Sequence, residues 1–212
     1  ARAQVNATDG SGNTPLSSAI MQGSLGLTQL LIDAQAEVNV ESGCKPLVCS
    51  VQQENIDITE LLVNTCAQVN VIDQSGYTPL LHSVLQGRTD LTKLLINAQA
   101  QIDAPDGRIP ALIWLSVKQK NFELTKLLID AKAKVDECGS KYMPLTFSVQ
   151  HGNFNLAKLL VDAKAEVNVK DHSGNTPLHY SVTRGHLELT KLLIGANAQA
   201  NVSGAEITPP MA

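Results

Sequence analysis

The sequence predicts an all-α fold, a solenoid of stacked helix-turn-helix units. Three observations carry that expectation. Leucine doublets begin at Leu30, Leu61, Leu94, Leu127, Leu159 and Leu192, so the steps are 31, 33, 33, 32 and 33 residues in a chain of 212. A period this regular marks units that cannot bury an apolar face alone and must stack on their neighbours. A Pro-Leu pair stands 15 residues ahead of five of these doublets, at Pro15, Pro46, Pro79, Pro144 and Pro177. Proline has its φ already near the helical value and lacks an N–H, so it suits the first position of a helix. Between proline and doublet falls a glycine in four units, Gly23, Gly87, Gly152 and Gly185. A left-handed residue there ends one helix and lets a second begin.

The last complete unit, Asp171 to Ile194, is the template for the rest. Thr176 is the N-cap of its first helix and Pro177 the first helical residue. Gly185 stops that helix, and Leu187, Leu189, Leu192, Leu193 and Ala196 mark the apolar side of the second. The segments Thr176-Pro177-Leu178-His179, Gly185-His186-Leu187-Glu188 and Lys191-Leu192-Leu193 resemble, in order, the T-P-L-H, G-H-L-E and K-L-L pieces of an ankyrin repeat. That resemblance implies β-hairpin-like finger loops between the helix pairs. It also implies one domain over residues 1–212, with repeats opening near 14, 45, 78, 111, 143 and 176 and partial units at 1–13 and 196–212.

Taken in order, Ala1 to Asn6 copies Ala163 to Asn168, so the chain starts inside a repeat. Repeat one has Thr14-Pro15-Leu16, the stop Gly23, and Leu27, Leu30 and Leu31 expected to face the core. Repeat two lacks the threonine cap, since Lys45 precedes Pro46, and carries Glu54 where the template has Gly185. Repeat three, from Thr78, restores both. In repeat four Pro110 falls two residues early against Pro177, so its first helix is expected to begin early, and Trp114 is expected to fill space between helices. Repeat five runs from Met143-Pro144-Leu145 through Gly152 to Leu159-Leu160. Beyond repeat six the chain reaches Thr208-Pro209. Both ends cut through repeats, as a piece of a longer array or an engineered array would.

Two columns depart from the family pattern. Serines precede Val51, Val84, Val117, Val149 and Val182 where alanine is usual, and their hydroxyls can bond back to the preceding turn. After the second helix the family's glycine is replaced by Gln35, Cys66, Gln99, Lys132, Lys164 and Asn197. If that position is left-handed, each except asparagine costs on the order of 1 kcal/mol. On the outer side, Asp90/Lys93, Glu123/Lys126 and Glu188/Lys191 are spaced as i,i+3 ion pairs.

With 16 lysines and arginines against 20 acids, the net charge is −4. The basic residues are scattered, which leaves no footprint for nucleic acid or an anionic membrane. No apolar run reaches the ~20 residues of a membrane span and no signal peptide opens the chain. Cys44, Cys49, Cys66 and Cys138 have spacings that fit neither a zinc site nor two disulfides, so reduced thiols in an intracellular, cytoplasmic setting are expected.

Nothing in the motifs indicates catalysis. There is no G-x-S-x-G, phosphate-cradling loop, H-E-x-x-H or EF-hand, and no cofactor or small-molecule substrate is implied. His82, His151, His172 and His186 fall in unrelated positions, and His179 of the T-P-L-H box is expected to bond locally. The alternative to catalysis is surface. By the ankyrin resemblance, a protein or peptide partner lies in a concave groove lined by the first helices and the fingers. The helix positions are Met21, Gln22, Gln52, Gln53, Leu85, Gln86, Lys118, Gln119, Gln150, His151, Thr183 and Arg184. The finger positions are Asn13, Cys44, Tyr77, Arg108, Ile109, Tyr142 and Asn175. The resemblance further implies that Asn39, Asn70 and Asn168 stand in the context of hydroxylated ankyrin asparagines. Two function classes follow: an interaction scaffold, or a spacer segment of a longer array with no partner of its own.

Overall fold

Twelve short helices alternate between 7 and 9 residues among the residues that the computed structural model describes, 4–40, 43–103, 111–136 and 143–198. No strand occurs among them. The chain divides into two compact units, Ala1–Ile102 and Asp103–Ala212. In the first, α1 (Pro15–Met21) pairs with α2 (Leu25–Asp33), α3 (Pro46–Gln52) with α4 (Ile56–Asn64), and α5 (Pro79–Leu85) with α6 (Thr89–Asn97). First helices pack on first helices and second on second. The second unit repeats this with α7 (Leu112–Lys118), α8 (Phe122–Asp130), α9 (Pro144–Gln150), α10 (Phe154–Asp162), α11 (Pro177–Thr183) and α12 (Leu187–Gly195). Pro110, Cys138 and the Thr208-Pro209 tail lie outside the described residues.

The first helices start as their sequence dictates. Thr14, Thr78 and Thr176 each accept the backbone N–H three residues on, whereas Lys45, Ala111 and Met143 give no side-chain cap. Helix α7 does not begin early. It opens at Leu112, the column of Pro177, because packing of Ser116 and Val117, both fully buried, fixes its register whatever the position of Pro110. Second helices are capped by Ser24, Asn55, Asn121 and Asn153, whose side chains accept from the N–H three residues later.

Each hairpin is closed by left-handed residues. Gly23, Gly87, Gly152 and Gly185 have positive φ, as do their substitutes Glu54 (56°) and Lys120 (57°). The second stop column, Gln35, Cys66, Gln99, Lys132, Lys164 and Asn197, is left-handed throughout, with φ between 64° and 69°. The bonds are those of a Schellman turn: the Lys132 N–H donates to Ile129 O (2.9 Å) and the Ala133 N–H to Leu128 O (2.9 Å).

The core is one apolar column per face. Ile58, Leu62, Leu91, Leu95, Leu124, Leu128, Leu160 and Leu193 are all fully buried. The serine hydroxyls bond back as expected, for instance Ser83 Oγ to Leu80 O (2.8 Å) and Ser148 Oγ to Pro144 O (2.9 Å). Four serines also meet a threonine of the second helix, in the pairs Ser50–Thr59, Ser83–Thr92, Ser116–Thr125 and Ser181–Thr190 at 2.9 to 3.0 Å. A buried hydroxyl pair therefore joins the two helices of those repeats without an orphaned donor.

Four expectations need correcting. Leu27 and Leu30 do not face a core; both are exposed and Leu31 is half-buried, because among the described residues no hairpin packs on that side of α2. Leu187 is likewise exposed. Of the three ion pairs only Glu188–Lys191 closes (2.8 Å); Asp90 turns to Arg88 (2.7 Å), which also holds Glu54 (2.7 Å), and nothing joins Glu123 to Lys126. Cys44 and Cys49 are joined as a disulfide with Cα atoms 6.2 Å apart, not reduced, while Cys66 is free and exposed. Cys44 stands just before the Lys45 cap and Cys49 at the fourth helical position. Residues so placed pack together at a helix start, as a hydrophobic staple does, because helical side chains lean toward the N-terminus.

Candidate functional site

Three of the fingers are each built on an aspartate. Asp73 Oδ1 accepts from the N–H of Ser75 (2.8 Å) and of Tyr77 (2.9 Å), and the Asp73 N–H donates to Tyr77 O (2.9 Å). Asp9 and Asp171 repeat this arrangement around Ser11 and Asn13 and around Ser173 and Asn175. The result is a tight hairpin-like loop that presents Asn13, Tyr77 and Asn175, each half-buried. In the second finger, Gly43 (φ 71°) has the Gly12 carbonyl where a Cβ would stand, so only glycine permits that approach. Burial pushes the Asp73 carboxyl up, but the Tyr77 N–H, His82 and the Ser75 N–H outweigh it and hold it below the ordinary carboxylate range. At Asp171 burial is outweighed in the same way by the Tyr180 hydroxyl and the Asn175 and Ser173 N–H groups.

In the first unit the last turns of α1, α3 and α5 carry Met21, Gln22, Gln52, Gln53 and Leu85 exposed and Gln86 half-buried. A polar chain crosses this surface. Gln86 Nε2 donates to Gln52 O (3.2 Å), Gln52 Nε2 stands 3.3 Å from His82 Nε2, and the same ring nitrogen is 2.7 Å from Asp73 Oδ2. Tyr77 meets the His82 ring edge-on, 5.6 Å between centroids. Helices and finger are thereby tied together, with Met21 and Leu85 as apolar points beside the polar chain. Cys44 reaches the first finger, its N–H donating to Asn13 Oδ1 (3.1 Å).

In the second unit Lys118, Gln119, His151, Thr183 and Arg184 are exposed and Gln150 half-buried. Aromatic rings replace the amides. Trp114, half-buried rather than enclosed, packs edge-on against Phe147 (5.1 Å), and Phe147 stacks on His151 (4.0 Å), whose Nδ1–H donates to Phe147 O (2.9 Å). Tyr180 donates its hydroxyl to Asp171 Oδ2, occupying the column that His82 occupies in the first unit. His179 bonds locally through its backbone, its N–H donating to Thr176 Oγ1 (3.3 Å), while its exposed ring meets Tyr180 edge-on. Arg108, Ile109 and Tyr142 lie outside the described residues.

Sequence reasoning missed Asp73, His82, Phe147, Asp171 and Tyr180. A signal was present in the recurrence of aspartate four residues before Asn13, Tyr77 and Asn175. It also missed a ladder joining successive repeats. Asn6, Asn39 and Asn70 accept through Oδ1 from the N–H of Glu37 (2.8 Å), Gln68 (2.8 Å) and Gln101 (2.7 Å), and Asp136 from that of Glu166 (3.0 Å). Asn39 and Asn70 remain exposed while so held.

Two depressions lie elsewhere. The larger runs past Val161, Lys164, Lys191 and Asn197, and the smaller past Val38, Lys45 and Val71; neither is lined by any of the groove residues named above. No three His, Cys, Asp or Glu side chains gather as a metal-binding cluster among the described residues. No helix there is long and apolar enough to cross a membrane.

These hairpins and fingers have counterparts in known proteins. The family described as ankyrin repeats in three copies matches residues 34–106 and 112–203, and the single ankyrin repeat matches 11–43. Compared with curated proteins sequence by sequence, the chain has no significant match. Among solved structures, an ankyrin repeat domain from Acinetobacter baumannii AYE is similar at 24% identity and TM-score 0.77, covering 87% of this chain and 98% of its own. The ankyrin repeat domain of Bcl-3, described as a member of the IkappaB family, aligns at 24% identity and TM-score 0.70 over 90% of this chain and 89% of its own. The human ASB11 ankyrin repeat domain does so at 17% identity and TM-score 0.70, over 93% and 89%. At these identities the structures speak for the fold, and the family matches cover most of the sequence. The chain belongs to the ankyrin repeat family.

Proposed function

We propose that this chain is a non-catalytic scaffold that binds a protein or peptide partner along the groove formed by its fingers and by the last turns of its first helices. One observation carries the reading. The same turn of α1, α3, α5, α7 and α9 leaves Met21, Gln52, Leu85 and Lys118 exposed and Gln150 half-buried, while the residues just before them, Ile20, Val51, Val84, Val117 and Val149, are fully buried. Exposed groups are thus presented on a rigid base, with amides in one unit and rings in the other to supply hydrogen bonds and anchors. The net charge of −4 and the scattered basic residues argue against a nucleic acid or membrane partner. A setting inside the cell belongs to this proposal. The free thiol of Cys66 suits a reducing compartment and the Cys44–Cys49 bond does not.

The test is capture from lysate by wild type beside a groove variant, Tyr77→Ala with Gln86→Ala and Gln119→Ala, and a back variant, Lys93→Ala with Lys126→Ala. Capture of the partner is expected to fall at least tenfold in the groove variant alone. Equal capture by all three removes the groove, and no captured partner leaves the spacer reading in its place. That second reading is favoured by the uncovered apolar side of α2.

A further inference from the structure

Stacking gathers cations that the sequence spreads out. Within the second unit α9 packs against both α7 and α11, so the turns that end these helices form one row. Lys118, Lys120, His151 and Arg184 are all exposed along it. The segments 112–121, 144–153 and 177–186, which hold the three helices and their closing turns, contain no Asp or Glu. Lys118, Lys120 and Arg184 close no ion pair among the described residues. In the first unit the column of Lys120 holds an acid instead, Glu54, and Arg88 engages it at 2.7 Å. This openness does not come from the end of a stack: His151 is exposed although α9 is flanked on both sides, and so is Gln52, in the column of Lys118, between α1 and α5.

Rings stand beside this row. Trp114, Phe147 and Tyr180 are half-buried, with Trp114 edge-on to Phe147 (5.1 Å) and Phe147 stacked on His151 (4.0 Å). The nearest finger carboxylate, Asp171, is already engaged, one oxygen by the Tyr180 hydroxyl and the other by the N–H groups of Ser173 and Asn175. Glu123 and Glu188 belong to the second helices, on the outer side.

We infer that the second unit takes an acidic segment of its partner, one in which carboxylates flank an aromatic or aliphatic side chain. This rests on the groove being a binding surface and names the chemistry of what binds there. Carboxylates suit Lys118, Lys120 and Arg184, because these cations give up no partner in the fold when they form a charge-assisted bond. The apolar side chain suits the Trp114–Phe147 pair, whose half-buried rings offer a rigid contact. A basic segment is repelled by the same row, so the selection is one of sign. A nucleic acid gains less, since the row neutralises few phosphates and the chain as a whole carries −4.

Selection from a random peptide library displayed on phage, with the whole chain as bait, tests this. The enriched peptides are expected to be net negative, with an aromatic or aliphatic residue among the acids. Trp114 is the only tryptophan of the chain, so its fluorescence reports binding of a synthetic enriched peptide that lacks tryptophan. Lys118→Gln with Arg184→Gln is expected to weaken that binding about tenfold at low salt and to flatten its salt dependence. Both columns already carry glutamine, at Gln150 and Gln119, so the variant keeps its fold. Lys126→Gln with Lys158→Gln removes the same charge from the outer helices and is expected to leave binding unchanged. Enriched peptides that are neutral or basic overturn the inference and leave a peptide-binding groove standing. No enrichment at all overturns the groove as well. Equal weakening by the two variants, or displacement of the peptide by single-stranded DNA of equal charge, means unspecific attraction and also overturns the inference.

Discussion

Leu62→Ala is expected to lower stability by about 2–5 kcal/mol, as deletion of a fully buried leucine does when its surroundings cannot collapse into the space. Leu62 is fully buried on α4, with α2 on one side and α6 on the other, so the loss falls on two junctions at once. Leu30→Ala, the same chemical change at the first leucine of the preceding doublet, is expected to stay within about 0.5 kcal/mol, because that side chain already lies mostly in water. Urea titrations measure both. Equal losses at the two positions would show that burial by neighbouring hairpins does not hold this chain together.

Replacing Lys120, Lys132 and Lys164 by glycine is expected to raise stability by about 0.5–1 kcal/mol each, and by about 2 kcal/mol together. All three are exposed and left-handed, with φ of 57°, 69° and 66°. Relief of the Cβ clash exceeds the added freedom of glycine in the unfolded chain, which works in the opposite direction. Lys126→Gly is the control. It removes the same side chain from the exposed face of α8, where the backbone is right-handed, and is expected to cost about 1 kcal/mol. Thermal unfolding of the four variants gives the comparison; one sign for all of them would mean that backbone handedness is not the cause.

The repeat register, the helix starts and the left-handed stops were legible in the sequence because each is local. Proline at a first turn, leucine doublets and a glycine column need no knowledge of the partner strand or helix. Long-range pairs were not legible from one repeat. The Ser83–Thr92 hydroxyl pair and the Asn70–Gln101 rung join residues that no helical period links. Both had a trace in the recurrence of threonine at 28, 59, 92, 125 and 190 and of Val-Asn at 38, 69 and 167. Leu27 and Leu30 misled because a periodic pattern marks a face as apolar without saying whether anything covers it. Cys44 and Cys49 were weighed against metal spacing, and the proximity of a residue before a helix to one in its first turns was overlooked. In the candidate groove, the helix-end residues followed from column alignment. His82 and Tyr180 did not, since what brings them to the fingers is an aspartate nine residues upstream.

Site-specific photo-crosslinking tests the central claim, that recognition takes place along the inner turns of the first helices. A photoreactive phenylalanine analogue is placed singly at Leu85 or His151 in the groove, and at Lys93 or Lys158 on the outer helices, and each protein is irradiated in lysate of the source cells. Adducts to one common partner from Leu85 and His151, and none from Lys93 or Lys158, is the result this account expects. Equal yields from the outer positions, or adducts from those alone, would contradict it.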